Sequence, residues 1–115
     1  MVDDFPGCAA SICHTLSARG YDCRAATSGR DALAVVDAFT PDVAILDLDL
    51  PDMDGCSLAR MIRARPVTAC VHLVALSGWD RPEHRDRAHA AGFELYVVKP
   101  IAPSRLLDMI SAALC

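Results

Sequence analysis

The stretch from Pro41 to Gly55, Pro-Asp-Val-Ala-Ile-Leu-Asp-Leu-Asp-Leu-Pro-Asp-Met-Asp-Gly, constrains this chain more than any other. Val43, Ala44, Ile45 and Leu46 form an unbroken apolar run between turn residues. That is the pattern of a strand covered on both faces, as in a parallel sheet. Asp47 stands where the run stops. A carboxylate left unpaired in an apolar setting costs several kcal/mol, on the order of a broken buried ion pair. Asp47 therefore belongs at the strand's carboxyl end, in a polar pocket or against a cation. Pro51, Asp52, Asp54 and Gly55 make a turn-rich loop behind it, in which Asp52 and Asp54 read as solvated turn residues. Ligands of open α/β sheets sit at the carboxyl ends of the strands, so Asp47 is placed for chemistry.

The rest of the chain alternates around this strand. A helix is expected over Pro6–Arg19, with Cys8, Ile12 and Leu16 on one face and Gly20 as its stop. A short strand follows at Tyr21–Ala26, with Tyr21, Cys23 and Ala25 sharing a face. Helix Arg30–Phe39 turns Leu33, Val35 and Val36 inward and leads to the central strand, Val43 to about Leu48. Helix Cys56–Ala64 carries the stripe Leu58, Met61 and Ile62 and is closed by Pro66. The remaining elements are strand Val71–Leu76, helix Pro82–Ala91 stopped by Gly92, strand Leu95–Val98, and helix Pro103–Leu114 with Leu106, Leu107, Ile110 and Leu114 inward. Strict alternation argues for one α/β domain over residues 1–115, a doubly wound parallel sheet with helices on both faces.

Composition narrows the function. The net charge of −4, without a basic cluster, argues against nucleic-acid binding. No apolar stretch approaches the ~20 residues of a membrane span. Met1 is followed at once by Val2, Asp3 and Asp4, with no basic or apolar leader segment, so a cytoplasmic protein is expected. The six cysteines form no C-x-x-C pair and read as small, reduced, buried or half-buried residues. His14, His72, His84 and His89 lack metal-ligand spacing and read as surface residues. Ten of the eleven basic residues are arginine; Lys99 is the one lysine.

The polar residues at the strands' carboxyl ends are Asp3 and Asp4, Asp47, Ser77 and Lys99. In a doubly wound sheet these ends share one rim. Three carboxylates close together ionise only with a cation among them. Mg²⁺, which takes one or two carboxylates plus water and phosphate oxygens, is the simple solution. Lys99 supplies a point charge for a phosphate oxygen, and Ser77 a hydroxyl donor. These are the parts of a phosphoryl-transfer site, with Asp47 as nucleophile.

Asp3-Asp4, Leu46-Asp47, Pro51-x-Met53-Asp54-Gly55, Leu76-Ser77-Gly78, Tyr96 three before Lys99, and Lys99-Pro100 occur in this order over essentially the whole chain. In this the sequence resembles the receiver domain of two-component response regulators. The run Ser77-Gly78-Trp79 … Ala90-Ala91-Gly92-Phe93 … Val98-Lys99-Pro100 is similar to receivers associated with hybrid histidine kinases. The resemblance implies a flavodoxin-like, five-stranded sheet in the order 2-1-3-4-5. It implies that Asp47 accepts a phosphoryl group from a histidine kinase or histidine phosphotransfer protein. Mg²⁺ would be held by Asp3 or Asp4, by Asp47 and by the backbone carbonyl of Asp49. Lys99 would pair with Asp47 and then with the phosphoryl group, and Ser77 would swing in to bond it. Tyr96 would change rotamer and alter the face of the fourth helix, fifth strand and fifth helix, where a downstream protein binds. Such a domain is a regulator, catalysing only its own phosphorylation and dephosphorylation.

Two departures stand out. Receivers usually carry four or five apolar residues before the acidic pair, where this sequence has Met1 and Val2. For this truncated first strand either a native start upstream of Met1 or a marginal domain with a frayed sheet centre is expected; losing three buried aliphatics forfeits roughly 5–9 kcal/mol, against a whole-domain stability of about 5–15. The second departure is Asp49, an extra carboxylate at the pocket mouth that repels an incoming phosphodonor and is placed to position a water. The short first strand motivates an alternative function, a phosphorylation-independent docking module. Asp47-Leu48-Asp49 motivates another, a haloacid-dehalogenase-type phosphohydrolase. Against the latter, that motif normally opens a chain, Pro51 stands where it wants Thr or Val, and 115 residues leave no room for a cap domain.

Overall fold

The apolar run forms strand β1, Val43–Asp47, with Ala44 to Asp47 all buried. The computed structural model describes residues 1–3, 6–50, 52–78, 81–99 and 101–114, and the side chains of these except at 6–9, 67, 113 and 114. Asp4, Pro51, Trp79, Pro100 and Cys115, and the Cys8 and Leu114 side chains, lie outside that description. β1 pairs in parallel with β2, His72–Ser77, which pairs in parallel with β3, Leu95–Val98. The register sets Asp47 opposite Leu76 and Ser77 opposite Val98.

On the far side of β1 the sheet continues as isolated parallel bridges, Val2 to Leu46 and Val2 to Ala26. Val2 donates to the Ile45 carbonyl and accepts from the Asp47 N–H, both at 2.8 Å. Across the sheet the order is therefore Ala26, Val2, β1, β2, β3, the expected 2-1-3-4-5 arrangement, with the first two members each reduced to a single bridged residue among the described residues. The expected strand Tyr21–Ala26 does not form. A parallel strand needs a partner of comparable length, and Met1–Val2 reaches only as far as Ala26. Tyr21 and Ala25 are exposed. The expected fraying stops short of Val2, which is 6% exposed and bonded on both sides.

Five α-helices and a short 3-10 helix at Pro66–Thr68 complete the described fold: α1 Pro6–Ala18, α2 Gly29–Ala38, α3 Gly55–Ala64, α4 Pro82–Ala91 and α5 Pro103–Leu114. Strand alternation sorts the core into two layers. Ala44, Leu46, Leu73 and Ala75 pack with Ala32, Val36, Leu58, Ile62 and Ala88 of α2, α3 and α4. Ile45, Val74, Leu76 and Val97 pack with Ile12, Leu16, Leu106, Leu107 and Ile110 of α1 and α5. In α2 the buried positions are Gly29, Ala32 and Val36, while Leu33 and Val35 are half-buried against the core. Met61, expected in the α3 stripe, is 44% exposed; Leu58, Ala59 and Ile62 cover the sheet instead.

The cysteine expectation is corrected. Cys13 of α1 and Cys23 are joined in a disulfide, with Cα atoms 5.4 Å apart. Cys56 is a buried free thiol, raised by burial and by the Asp54 charge, and Cys70 is an exposed one. The pairing escapes motif reading because the Gly20 turn, not local sequence spacing, brings residues 13 and 23 together. At the amino ends of β2 and β3, Arg63 donates to the carbonyls of Ala69, Val71 and Gly92 and to Glu94, which also bonds His72 Nδ1 at 2.7 Å. His72 is thus tied into this cluster rather than lying free on the surface.

Candidate functional site

At the opposite rim the carboxyl ends converge. Asp47 ends β1 and is 1% exposed, Ser77 ends β2 and is 1% exposed, and Asp3, next to the Val2 bridge, is 3% exposed. Lys99 follows β3, held by its N–H bond to the Ser77 carbonyl at 2.8 Å. Its ammonium lies 2.7 Å from Asp47 Oδ2 and 3.8 Å from Asp3 Oδ2. The other Asp47 oxygen, Oδ1, accepts from the Asp49 backbone N–H at 3.0 Å. Both oxygens of this buried carboxylate therefore meet donors, which offsets its desolvation.

Burial disfavours the charge on Lys99. The hydrogen bond and charge of Asp47, with smaller contributions from Asp3 and Asp49, outweigh it and hold the ammonium above its ordinary pKa. Lys99 is thus a fixed cation between two buried acids. One positive charge against two carboxylates leaves a negative remainder, and every side-chain donor atom except Lys99 Nζ is an oxygen. That donor set fits a hard dication such as Mg²⁺, which needs only one or two carboxylates. No group of three metal-ligating side chains comes together among the described residues, so Asp3 and Asp47 are the side chains that fit it. Asp49 itself is exposed, at the mouth.

The loop behind Asp47 is built more tightly than its sequence suggests. Gly55 is required by close approach: a Cβ there would lie 2.7 Å from Leu48 Cα and 2.8 Å from the Asp47 carbonyl. Asp52 is exposed, as a turn residue, yet it is also a cap. It accepts from the N–H groups of Gly29 and Arg30 at 2.9 and 3.0 Å, capping α2 beside Ser28, and these bonds hold its carboxyl below the ordinary value. Asp54 is likewise employed: it caps α3 through the Cys56 N–H and pairs with Arg87 of α4. Tyr96, on β3, is half-buried, with the Arg85 guanidinium of α4 4.9 Å from its ring centroid. Asp52, Asp54, Arg85 and Arg87 thus tie the helices to the rim. Sequence reasoning missed these contacts; the S/T/D-before-helix signal at Ser28 and Asp54 was available for the caps alone.

The response regulator receiver domain model matches residues 1–111. The chain is 33% identical over 115 residues to the transcriptional regulatory protein KdpE of Mycobacterium tuberculosis, covering 98% of this chain and 49% of that protein. It is 30% identical over 114 residues to the phosphate regulon transcriptional regulatory protein PhoB of Rhizobium meliloti, covering 99% and 50%. It spans 13% of the gliding motility regulatory protein of Myxococcus xanthus, at 33% identity over 99 residues. These three relatives extend well beyond the region it matches. Among solved structures, the chemotaxis response regulator CheY4 of Vibrio cholerae superposes with a TM-score of 0.91 at 30% identity, over 96% of this chain and 92% of that one. Sheet order, rim geometry and these matches agree, and the chain belongs to the response regulator receiver domain family of two-component systems.

Proposed function

We propose that residues 1–115 act as one receiver domain that takes a phosphoryl group from a phosphohistidine onto Asp47. The observation that carries this reading is the buried Asp47 carboxylate with Lys99 Nζ at 2.7 Å. An exposed carboxylate would be hydrated and weakly positioned; this one is desolvated, held at both oxygens and aimed at a rim that carries a cation. Mg²⁺, held by Asp3, by Asp47 and by the carbonyl of Asp49, with Asp4 as a further ligand, would neutralise charge on the transferring phosphoryl oxygens. Asp47 supplies the attacking carboxylate oxygen. Lys99 exchanges its bond to Asp47 for one to a phosphoryl oxygen, and the Ser77 hydroxyl donates to another.

Donors in this reading are a histidine kinase or a histidine phosphotransfer protein. The output is a changed face on α4, β3 and α5, where Tyr96 packs under Arg85. A downstream protein, not nucleic acid or membrane, reads that face, and the setting is cytoplasmic. The domain is a regulator whose only catalysis is on its own phosphoryl group. Acetyl phosphate with Mg²⁺ is expected to add one phosphoryl group, labile to hydroxylamine, seen by intact mass. Asp47→Asn should gain none. Equal labelling of that variant would overturn the assignment, and no labelling of the wild type would favour the phosphorylation-independent docking module.

A further inference from the structure

The Cys13–Cys23 bond sits where it can govern the acidic rim. Cys13 lies on α1, the helix that follows Asp3 in sequence, and Cys23 lies in the segment that ends at the Ala26 bridge. Ala26 donates to the Met1 carbonyl at 2.9 Å and accepts from the Asp3 N–H at 3.0 Å. The disulfide therefore closes a ring that runs from Asp3 along α1, across the sulfurs, through residues 23–26 and back to Asp3 by a hydrogen bond. Among the described residues the stretch from Arg19 to Ala25 is otherwise held mainly by exposed contacts, including Tyr21 Oη to Ser111 Oγ at 3.4 Å and the Arg24 guanidinium over the Phe39 ring. Tyr21 donates its N–H to the Leu16 carbonyl, Arg19 pairs with exposed Asp108, and Met1 donates its amine to the Arg24 carbonyl. Both cysteines are half-buried, open enough for thiol exchange, whereas Cys56 is buried.

We propose that Cys13 and Cys23 are a reversible redox modification site that orders the sheet edge supporting Asp3. The co-reactant class is a low-molecular-weight disulfide such as glutathione disulfide. One cysteine thiolate attacks it, forming a mixed disulfide and releasing one thiol. The second thiolate attacks the protein-bound sulfur and releases the other. Two protein thiols and one small disulfide become one protein disulfide and two small thiols, and the two protein protons end on the released thiols. In a reducing compartment the pair stands as dithiol with a loosened edge; an oxidising shift closes it. The site does not depend on phosphoryl transfer.

The test uses the full chain equilibrated in oxidised or reduced glutathione, then acid-quenched, alkylated and mapped by mass. In oxidising buffer Cys13 and Cys23 should be joined to each other, and in reducing buffer both should be alkylated. Amide hydrogen exchange at Asp3 and Ala26 should be at least ~10-fold slower in the oxidised protein, a difference of one decade in opening equilibrium. Cys13→Ser and Cys23→Ser, made separately, should each exchange like the reduced wild type in both buffers. The proposal is overturned if either cysteine ends joined to glutathione or to another cysteine, if exchange at Asp3 and Ala26 ignores the redox state, or if both variants keep the slow exchange.

Discussion

Lys99 shows how much a single residue can carry and how legible it can be. It is the one lysine of the chain, it follows a short apolar strand, and its ammonium reaches two buried carboxylates. A compact, rotatable charge can lean from Asp47 toward an incoming oxygen without leaving Asp3 uncompensated. A planar guanidinium is longer and donates in a fixed fork, so it cannot occupy the same point. Lys99→Arg is therefore expected to slow acetyl phosphate labelling by ~10-fold or more, about the worth of one charge-assisted hydrogen bond. It should also uncouple labelling from partner binding. Measuring both in the variant checks this, and wild-type values for both would refute it. Asp47 and Ser77 were legible for the same reason as Lys99, since apolar runs end at them, whereas only two apolar residues precede Asp3, whose place follows from the alternation of elements and the family resemblance. Asp52 and Asp54 were not, because a turn carboxylate discloses nothing in sequence about an N–H donor 22 residues or more away, or about Arg87 on a distant helix.

At the scale of elements, α2 illustrates what such a distant partner does. Four N–H groups at a helix start have no intrahelical acceptor. Ser28 takes that of Asp31, and Asp52 takes those of Gly29 and Arg30, so α2 is capped from outside by the loop that follows β1. The carboxylate form makes these bonds, which lowers the folded pKa of Asp52 below its ordinary 3.8. A lowered acid pKa means that the unfolded chain binds the proton more readily, so the stabilisation is complete above pH 3.8 and is lost as pH falls through the depressed folded value. Asp52→Ala should lower the urea midpoint at neutral pH, and the gap from wild type should close in strongly acidic solution. A gap that persists below that range would mean the side chain acts by packing. Helices α3, α4 and α5 and strand β3 were readable within a residue or so, because capping residues, prolines and Gly92, with φ of 103°, mark their ends. The strand expected at Tyr21–Ala26 failed because alternation specifies a face but cannot supply a ladder partner.

The whole molecule bears the consequence of that missing partner. Between residues 21–26 and β1 lies a 310 Å³ cavity lined by Met1, Cys23, Val36, Val43, Ile45 and Ile110, among others. Val2, Ala26 and Leu46, the residues of the two bridges, also line it. Since Leu48 and His72 show the even residues of β1 bonding toward β2, the odd ones face this gap. Val2 already takes the Ile45 carbonyl and the Asp47 N–H; the Val43 carbonyl and Ile45 N–H are the next rung. The Met1 amine donates to the Arg24 carbonyl at 3.0 Å, where an amide would continue the ladder, and burial lowers its pKa from 8.0 to about 6. With the folded value depressed, the unfolded chain binds more protons between pH 6 and 8, so stability should rise across that window. Allowing for a residue that is only half-buried, the rise is on the order of 1–2 kcal/mol. Joining four apolar residues to Met1 turns the amine into an amide, fills the cavity and adds rungs on both sides. At ~1.5–3 kcal/mol per buried aliphatic, that extension should add several kcal/mol and raise the urea midpoint by about 1–2 M. It should also abolish the pH 6–8 slope. An extended protein with an unchanged midpoint and an unchanged slope would show that the sheet does not admit a strand there.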